Sequence, residues 1–423
     1  MIYMIMRFPD TRSSWRTRFQ TPARLYVLLM GAFSGILVFL TIYSTTPRFI
    51  SFAKDATLNP VADNYTAPFS EELRLPHVNK KVIGFLPSWN IAAKKKVYPE
   101  YLDQIIFFGI PIDKNGVLLK KDENDVVVAD WYYLDSAEFR DIRTRAKQTN
   151  TKILVTIKNF DNASIDALIS SPTTTKRAIQ EIQKLITDYE LDGIDLNFEY
   201  FTASDYPTML HMNQFLTTLR TELKKEHPSL ILSFDVNATV IYQDTAYDMV
   251  KIGEQMDQVI IMGYDYTQPS SPVAGPIAPL YESGNKPSVS RSVASVIGRV
   301  PKEKIILAIP LYGLEWQTYT DHYASNTIPN TGAIATYERV RDLIANRVDI
   351  SIRYGEITKS PWLTYKQNGQ IRQIHYEDEK SILSKIDIAY EKDIAGIALW
   401  ALGYEGNYVE PWNIIKEHVR AQK

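Results

Sequence analysis

The chain has 423 residues, enough for one large domain, and carries 47 basic against 49 acidic side chains. A formal net charge of −2 gives no electrostatic case for nucleic acid, and the absence of cysteine excludes disulfides and thiolate metal sites. The six histidines are scattered without an HExxH spacing, so we expect no metal and no cofactor.

The first feature along the chain is an uncharged run from Leu25 to Tyr43, long enough to cross a bilayer as a helix. Residues 1–24 carry five arginines and one acid, and the positive-inside bias therefore predicts a cytoplasmic N-terminus. A cleaved signal peptide is the alternative, but the run is long for one and no small-residue cleavage site follows it. Residues 44–79 contain recurring prolines and predict an extended tether. The sequence thus predicts single-pass anchoring in the cell membrane, with an extracytoplasmic domain.

From residue 80 onward, short apolar runs alternate with longer amphipathic segments, as in parallel βα units. Residues 174–189 are helix-like, with Ile179, Ile182 and Ile186 at helical spacing. Eight runs are predicted as strands: Val82–Leu86, Gln104–Ile110, Lys152–Ile157, Gly193–Phe198, Leu230–Val236, Gln258–Met262, Lys304–Pro310 and Gly396–Ala401. The sequence therefore predicts an α/β fold, a (βα)8 TIM barrel over residues 80–423.

The seventh and eighth predicted strands are separated by more sequence than one helix needs. Ala335–Asn346 is helix-like, and Trp362–Tyr365 with Gln370–Tyr376 predicts a hairpin around Asn368 and Gly369. We therefore expect a small α+β insertion at about residues 317–380, walling one side of a cleft.

A polar row lies within the segment DGIDLNFEY, residues 192–200. In a β-strand, Asp195, Asn197 and Glu199 share one face, and polar groups inside a sheet are costly unless they pair or bind a ligand. The residues between them are apolar: Ile194, Leu196 and Phe198. A surface strand with polar alternation is the alternative, but the apolar neighbours favour a buried strand whose polar face points into a barrel.

Three further segments contain polar or aromatic residues at the ends of predicted strands: IIMGYDY with Met262, Tyr264 and Asp265, ILAIPLYGLEW with Tyr312, and GIALWALGYE with Trp400. Together with DGIDLNFEY, these segments resemble the motifs of glycoside hydrolase family 18, the chitinase-like enzymes. The family pattern DxxDxDxE is met by Asp192, Asp195 and Glu199, with Asn197 where the family usually has Asp. The segments SPWLTY and AGPIAPL look most similar to the branch of spore-cortex and cell-wall N-acetylglucosaminidases.

The resemblance implies a retaining, substrate-assisted mechanism, in which the N-acetyl carbonyl of the substrate attacks the anomeric carbon. Glu199 would act as general acid and then base, with a pKa raised by burial and by nearby Asp195. Asn197 would hold the acetamido N–H and Tyr264 the carbonyl oxygen, while Trp400 would stack beneath the sugar ring. The remaining predicted substrate-binding residues are Asp192, Met262, Asp265, Tyr312, Trp316 and Trp89; for Trp89, closing the barrel end is the alternative.

Asn197 separates two interpretations of function. A neutral amide cannot offset the positive charge of an oxazolinium intermediate, yet an Asn-x-Glu pair performs this role in the family 85 endo-glycosidases. We therefore expect a glycosidase acting on polymers that contain β-linked N-acetylglucosamine, with a glycan-binding, catalytically weak protein as the alternative. Peptidoglycan is the first substrate, because a membrane anchor would keep the enzyme beside the cell wall, and chitin the second. No protein partner is predicted.

Overall fold

The computed structural model describes residues 80–200, 206–239 and 247–419, all within one compact unit. Eight strands close into a barrel, which confirms the predicted (βα)8 TIM barrel. The strands are β1 Lys81–Pro87, β2 Gln104–Pro111, β3 Lys152–Asn159, β4 Gly193–Phe198, β5 Ile231–Asn237, β6 Gln258–Met262, β7 Ile305–Pro310 and β13 Gly396–Trp400. Each strand runs parallel to both neighbours in the order β1-β13-β7-β6-β5-β4-β3-β2. Every one overlaps a predicted run, because strands buried on both faces are almost continuously apolar.

Helices follow the strands around the outside of the barrel. In the helix Pro172–Tyr189, Ile179, Ile182 and Ile186 are buried at helical spacing, and Glu190 ends the helix in a left-handed conformation with φ 48°. The helices are α1 Ser88–Ala92, α2 Ala129–Leu134, α3 Ala137–Gln148, α4 Asn162–Ser170, α5 Pro172–Tyr189, α6 Tyr206–Glu226, α7 Met249–Gln255, α8 Val289–Val296, α9 Tyr337–Asn346, α10 Glu379–Glu391 and α11 Glu410–Ile414.

An antiparallel sheet and the helix α9 form the insertion between β7 and β13. Its strands are β8 Tyr312–Thr318, β9 Ala333–Thr336, β10 Ser351–Gly355, β11 Ser360–Gln367 and β12 Gln370–His375, in the order β10-β11-β12-β8-β9. The predicted hairpin is present, and its turn residues Asn368 and Gly369 both have positive φ (53° and 76°). The sheet begins at Tyr312, earlier than the predicted residue 317, because β8 leaves β7 with only Leu311 between them.

Three aspartates form a repeated contact at the N-terminal end of the barrel. Asp103, Asp192 and Asp257 directly precede β2, β4 and β6, respectively. Each carboxylate accepts the backbone N–H of the second residue of the preceding barrel strand, at 2.7, 2.9 and 3.0 Å. These bonds satisfy strand-end donors that the parallel ladder leaves unpaired.

The predicted location at a cell membrane is corrected. The segments that carried it, residues 1–24, 25–43 and 44–79, lie outside the described residues. In the ranges that the structure describes, no helix is both long and apolar enough to cross a bilayer. The prediction of a single-pass membrane protein with an extracytoplasmic domain therefore has no support in the structure and is withdrawn.

Candidate active site

The polar row of β4 lies at the carboxyl end of the barrel, where TIM-barrel enzymes have their active sites. Asp195 and Asn197 are almost fully buried, at 0% and 2% exposure, and Glu199 follows the strand directly. The backbone of Glu199 donates to Asn159 O at 3.0 Å. The Tyr247 hydroxyl bonds to the residues on both sides of Glu199: it donates to Phe198 O and accepts the N–H of Tyr200 at 2.6 Å. The main chain that carries Glu199 is thus held from both neighbouring peptides.

Asp195 is enclosed by hydroxyl groups from the two neighbouring strands. Thr156 Oγ1 on β3 donates to one carboxylate oxygen at 2.7 Å, and Ser233 Oγ on β5 donates to the other at 2.6 Å. Both residues are opposite Asp195 in the strand register. Burial raises the pKa of Asp195 to about 6, while the two hydroxyl donors act in the opposite direction. Both carboxylate oxygens of Asp195 therefore accept a hydrogen bond from the barrel wall.

Asn197 is the middle residue of the polar row and interacts with Glu199. Its side-chain amide donates to the Glu199 carboxylate, which favours the ionised form of that group. Its carbonyl oxygen Oδ1 is buried and has no hydrogen-bond partner in the part of the chain that the structure describes. A buried acceptor without a partner is costly, so this oxygen is available to accept an N–H from a ligand.

Glu199 has the protonation behaviour that an acid catalyst at neutral pH requires. Burial raises its pKa to about 7, and repulsion from Asp265 acts in the same direction. The opposing bond from Asn197 is the smaller effect. A carboxyl group with this pKa is substantially protonated near pH 7 and can give a proton to a leaving oxygen.

Three residues after β6 and at the start of β8 complete this side of the site. Asp265 has a left-handed backbone with φ 62°, which aspartate tolerates better than most residues, and its carboxylate accepts the Tyr312 hydroxyl at 2.6 Å. Tyr264 is buried and packs edge-on against Tyr312, with ring centroids 6.1 Å apart. Its other neighbour is Trp400, nearly parallel at 27° and 6.3 Å. The predicted residues Tyr264, Asp265, Tyr312 and Trp400 are thus brought together.

Aromatic side chains form the floor beside this group. Trp400, the last residue of β13, contacts Phe85 at 5.6 Å, Phe108 at 4.7 Å and Trp89 at 6.4 Å between ring centroids. Trp89 is 38% exposed, so it presents an apolar surface next to Trp400. Exposed aromatic faces at a cleft suit the apolar faces of sugar rings.

Two predicted substrate-binding residues lie away from this group. Asp192 is at the N-terminal end of β4, where it accepts from Ile153 N–H and pairs with Lys152 at 2.9 Å. It is a structural residue at the opposite end of the barrel, because the strand carries the first Asp of the motif away from the last. Trp316 is fully buried in the insertion, with its indole N–H bonded to Pro269 O at 3.0 Å. It offers no exposed face to a ligand in this structure.

Met262 is neither among the residues grouped around Trp400 nor at the far end of the barrel. It is the last residue of β6 and is 7% exposed, and it packs in the core at the carboxyl end of the barrel. Its proximity to Tyr264 in sequence keeps a substrate contact as a prediction.

Sequence reasoning missed Asp235, a buried carboxyl group on β5. The register pairs Asp195 with Ser233, so the next inward position places Asp235 beside Asn197. It is 3% exposed, and its carboxyl group hydrogen-bonds that of Asp195. Burial, then the charge of Asp195, raises the pKa of Asp235 well above its ordinary value. The alternation of Ser233 and Asp235 within LSFDVN was the available signal.

A separate groove lies between the loop after β6 and the insertion, and Glu199, Asn197 and Trp400 are not among its lining residues. Its volume is about 890 Å³, within the usual range of about 300–1,000 Å³ for ligand sites. Tyr266, which follows Asp265 in the chain, lines it together with Tyr323, Arg353 and Trp362. The predicted insertion thus forms one wall of this groove. Among the described residues, no group of three His, Cys, Asp or Glu side chains is arranged to hold a metal ion.

Comparison with known proteins agrees with this architecture. The putative sporulation-specific glycosylase YdhD of Bacillus subtilis is 24% identical over 401 residues, covering 90% of this chain and 89% of that protein. The cortical fragment-lytic enzyme of Bacillus subtilis is 22% identical, over 79% of this chain and 72% of that protein. Among solved structures, the Ostrinia furnacalis Group IV chitinase has the same fold, with a TM-score of 0.70 at 18% identity over 81% of this chain and 100% of that one.

The family profile described as glycosyl hydrolases family 18 matches residues 81–405, which include the whole barrel and the insertion. The chain therefore belongs to glycosyl hydrolase family 18 and is a glycoside hydrolase.

Proposed function

We propose that this protein hydrolyses polymers of β-linked N-acetylglucosamine by a retaining, substrate-assisted mechanism. The observation that carries the proposal is the pair formed by Glu199 and Asn197. A carboxyl group with a pKa of about 7 stands next to an amide whose buried oxygen has no hydrogen-bond partner among the residues that the structure describes. The first supplies a proton to a glycosidic oxygen, and the second accepts the N–H of an acetamido group.

The nucleophile in this proposal is the carbonyl oxygen of the substrate's own acetamido group. Both oxygens of Asp195 are bound by hydroxyl groups, and Asp265 accepts the Tyr312 hydroxyl. The neighbouring carboxylates are therefore engaged with the protein. Attack by the acetamido oxygen at the anomeric carbon forms a cyclic oxazolinium and expels the leaving oxygen, which takes the Glu199 proton. Glu199, now ionised, removes a proton from the water that opens the ring, and the configuration is retained.

The other residues position the sugar. Asn197 Oδ1 accepts the acetamido N–H, and the Tyr264 hydroxyl donates to the carbonyl oxygen, so that this oxygen faces the anomeric carbon. Asp265 lines the same subsite, held in place by Tyr312. Trp400 lies under the ring, and Trp89 extends the aromatic surface toward solvent.

Peptidoglycan is the first proposed substrate and chitin the second. The support for peptidoglycan is the likeness to proteins named as a sporulation-specific glycosylase and a cortical fragment-lytic enzyme. The support for chitin is the likeness to a class V chitinase of Arabidopsis thaliana, 27% identical over 58% of this chain. Both polymers present the acetamido group that the site would recognise.

The test uses the full chain, incubated with purified peptidoglycan, with N-acetylglucosamine oligosaccharides and with the same oligosaccharides after removal of their acetyl groups. Mass spectrometry then identifies new reducing ends. We expect products from one or both acetylated substrates and none from the deacetylated one, because removing the acetyl group removes the nucleophile. Cleavage of the deacetylated oligosaccharides would rule out substrate assistance.

The Glu199→Gln variant isolates the acid. It should lose at least about 1,000-fold in kcat while binding oligosaccharides as before, because an amide keeps the shape of the group but has no proton to transfer. Glu222→Gln, the same exchange at an exposed position on α6, is the matched control and should retain activity. Equal, product-free binding by the wild-type chain and Glu199→Gln would instead indicate a glycan-binding protein.

A further inference from the structure

The carboxyl group of Asp235 lies in the same buried layer as Asn197, but on the neighbouring strand. Asp195 pairs with Ser233 in the β4–β5 register, and the next residues on the same face are Asn197 and Asp235. At 3% exposure, Asp235 is an ionisable group in the barrel interior, where an unpaired charge is costly. None of the steps described above uses it.

Two buried carboxyl groups that hydrogen-bond each other must share a proton. The Asp235 carboxyl bonds that of Asp195, whose own oxygens already accept two hydroxyl groups. Asp195 is therefore the acceptor, and Asp235 carries the proton. The pair thus holds a single negative charge near neutral pH. The second oxygen of Asp235, Oδ1, is buried and has no hydrogen-bond partner among the described residues.

The groups around Asp235 place this charge at the reacting centre. The titratable side chains that interact with it are Asp195 on β4, Glu199 directly after β4, and Tyr264 after β6. These are the residues assigned above to the acid and to the acetamido group. Asn197, which lies between Asp235 and Glu199, contributes an amide and no charge.

We propose that Asp235 supplies from β5 the second carboxyl group of an acidic pair with Asp195, and that this pair provides the negative charge that Asn197 does not. The inference rests on the proposed function. Asp235 is a positioning residue: it forms no bond to the substrate and transfers no proton to it. By keeping one proton between itself and Asp195, it fixes one negative charge beside the developing oxazolinium cation.

The test removes a carboxyl group from position 235 on β5 and adds one at position 197 on β4, separately and together. Asp235→Ala should lower kcat roughly 10- to 100-fold on the substrate that the wild-type chain cleaves, because Asp195 loses the hydrogen bond that helps to keep it ionised. Asn197→Asp alone should also lower kcat, because it adds a further acid to a site that already holds the pair. In the Asp235→Ala background, the same Asn197→Asp change should instead raise kcat at least about 10-fold, because it restores the number of carboxyl groups. This reversal of sign is a direct measure of coupling between the two positions.

The pH profile separates this role from simple packing. The bond from Asp235 lowers the pKa of Asp195, so its removal should move the acid limb of kcat/KM to higher pH. Asp257→Ala, at the opposite end of the barrel, is the matched control: it should lower stability but leave the pH limbs where they are.

Three outcomes overturn the inference while leaving the proposed function intact. They are wild-type kcat and pH limbs in Asp235→Ala, equal effects of Asn197→Asp in both backgrounds, and a folded but inactive double variant. If Asp235→Ala does not fold, as judged by circular dichroism, the isosteric Asp235→Asn replaces it in both backgrounds. Absence of hydrolysis by the wild-type chain on every acetylated substrate would sink the proposed function itself.

Discussion

At the scale of single residues, the surroundings of Glu199 determine the pH range that we predict for the proposed hydrolysis. Its pKa is raised to about 7, first by burial and second by the negative charge of Asp265. A general acid acts in its protonated form, so kcat/KM should fall as the pH rises through about 7.

Asp265→Asn tests this electrostatic contribution. The change removes the charge that raises the pKa of Glu199, so the alkaline limb of kcat/KM should shift to lower pH. Rates measured from pH 4 to 9 on the cleaved oligosaccharide give the shift directly. Tyr312→Phe removes the hydroxyl bond that lowers the pKa of Asp265, so it weakens the same charge and should shift the limb in the same direction by a smaller amount. An alkaline limb that stays fixed in Asp265→Asn would mean that burial alone sets this pKa.

The sequence predicted some residues of the candidate site and missed others. The row of Asp195, Asn197 and Glu199 was visible, because β-strand alternation on a buried strand places all three on one face. Asp235 was missed, since one acid in a strand segment does not reveal which neighbouring strand it faces. Only the register of β4 with β5 brings Asp235 beside Asn197.

At the scale of secondary-structure elements, the barrel was predictable because its strands are apolar runs separated by helical segments. The start of the insertion was not, since β8 is buried like β7 and differs from it in having antiparallel partners. Trp316 was expected among the substrate-binding residues, but its strand belongs to the insertion. Its neighbour Glu315 is also buried in the insertion, where it accepts the Tyr365 hydroxyl at 2.5 Å.

The aspartate contacts at the N-terminal end of the barrel yield a prediction at this scale. Asp192→Ala leaves the Ile153 N–H without its acceptor, so the free energy of unfolding should fall by about 1–3 kcal/mol, while kcat stays unchanged. Urea denaturation gives the first quantity and the hydrolysis assay the second. Asp188→Ala removes only an exposed pair with Lys184 on α5 and should change stability by less than about 0.5 kcal/mol. A large loss of kcat in Asp192→Ala would contradict this prediction and indicate that Asp192 contributes to catalysis.

At the scale of the whole molecule, the insertion is bonded to the barrel through the start of α9. Tyr337 N–H donates to Leu311 O at 2.9 Å, Glu338 N–H donates to Tyr404 O at 2.9 Å, and the Glu338 carboxylate pairs with Lys95. The insertion also has its own small core, which includes Ala335, Val340, Leu363, Tyr365, Ile374 and Tyr376.

These bonds predict that barrel and insertion unfold in one cooperative step. Scanning calorimetry on the full chain should give equal calorimetric and van't Hoff enthalpies for this transition. Tryptophan fluorescence, which reports Trp316 and Trp362 in the insertion together with the tryptophans of the barrel, should follow the same curve. Two resolved calorimetric transitions would show that the insertion unfolds independently.

The pairing of β8 with β12 has a consequence for how such enzymes diversify. Leu314 is opposite His375, so the insertion leaves and re-enters the barrel at nearly the same point. The segment between them can lengthen, shorten or be exchanged at little entropic cost to loop closure, because its ends remain fixed by their own hydrogen bonds. The shape of the groove can therefore change from one relative to the next without disturbing the acid at the end of β4. Selection for a different polymer can act on this wall while the chemistry remains as it is.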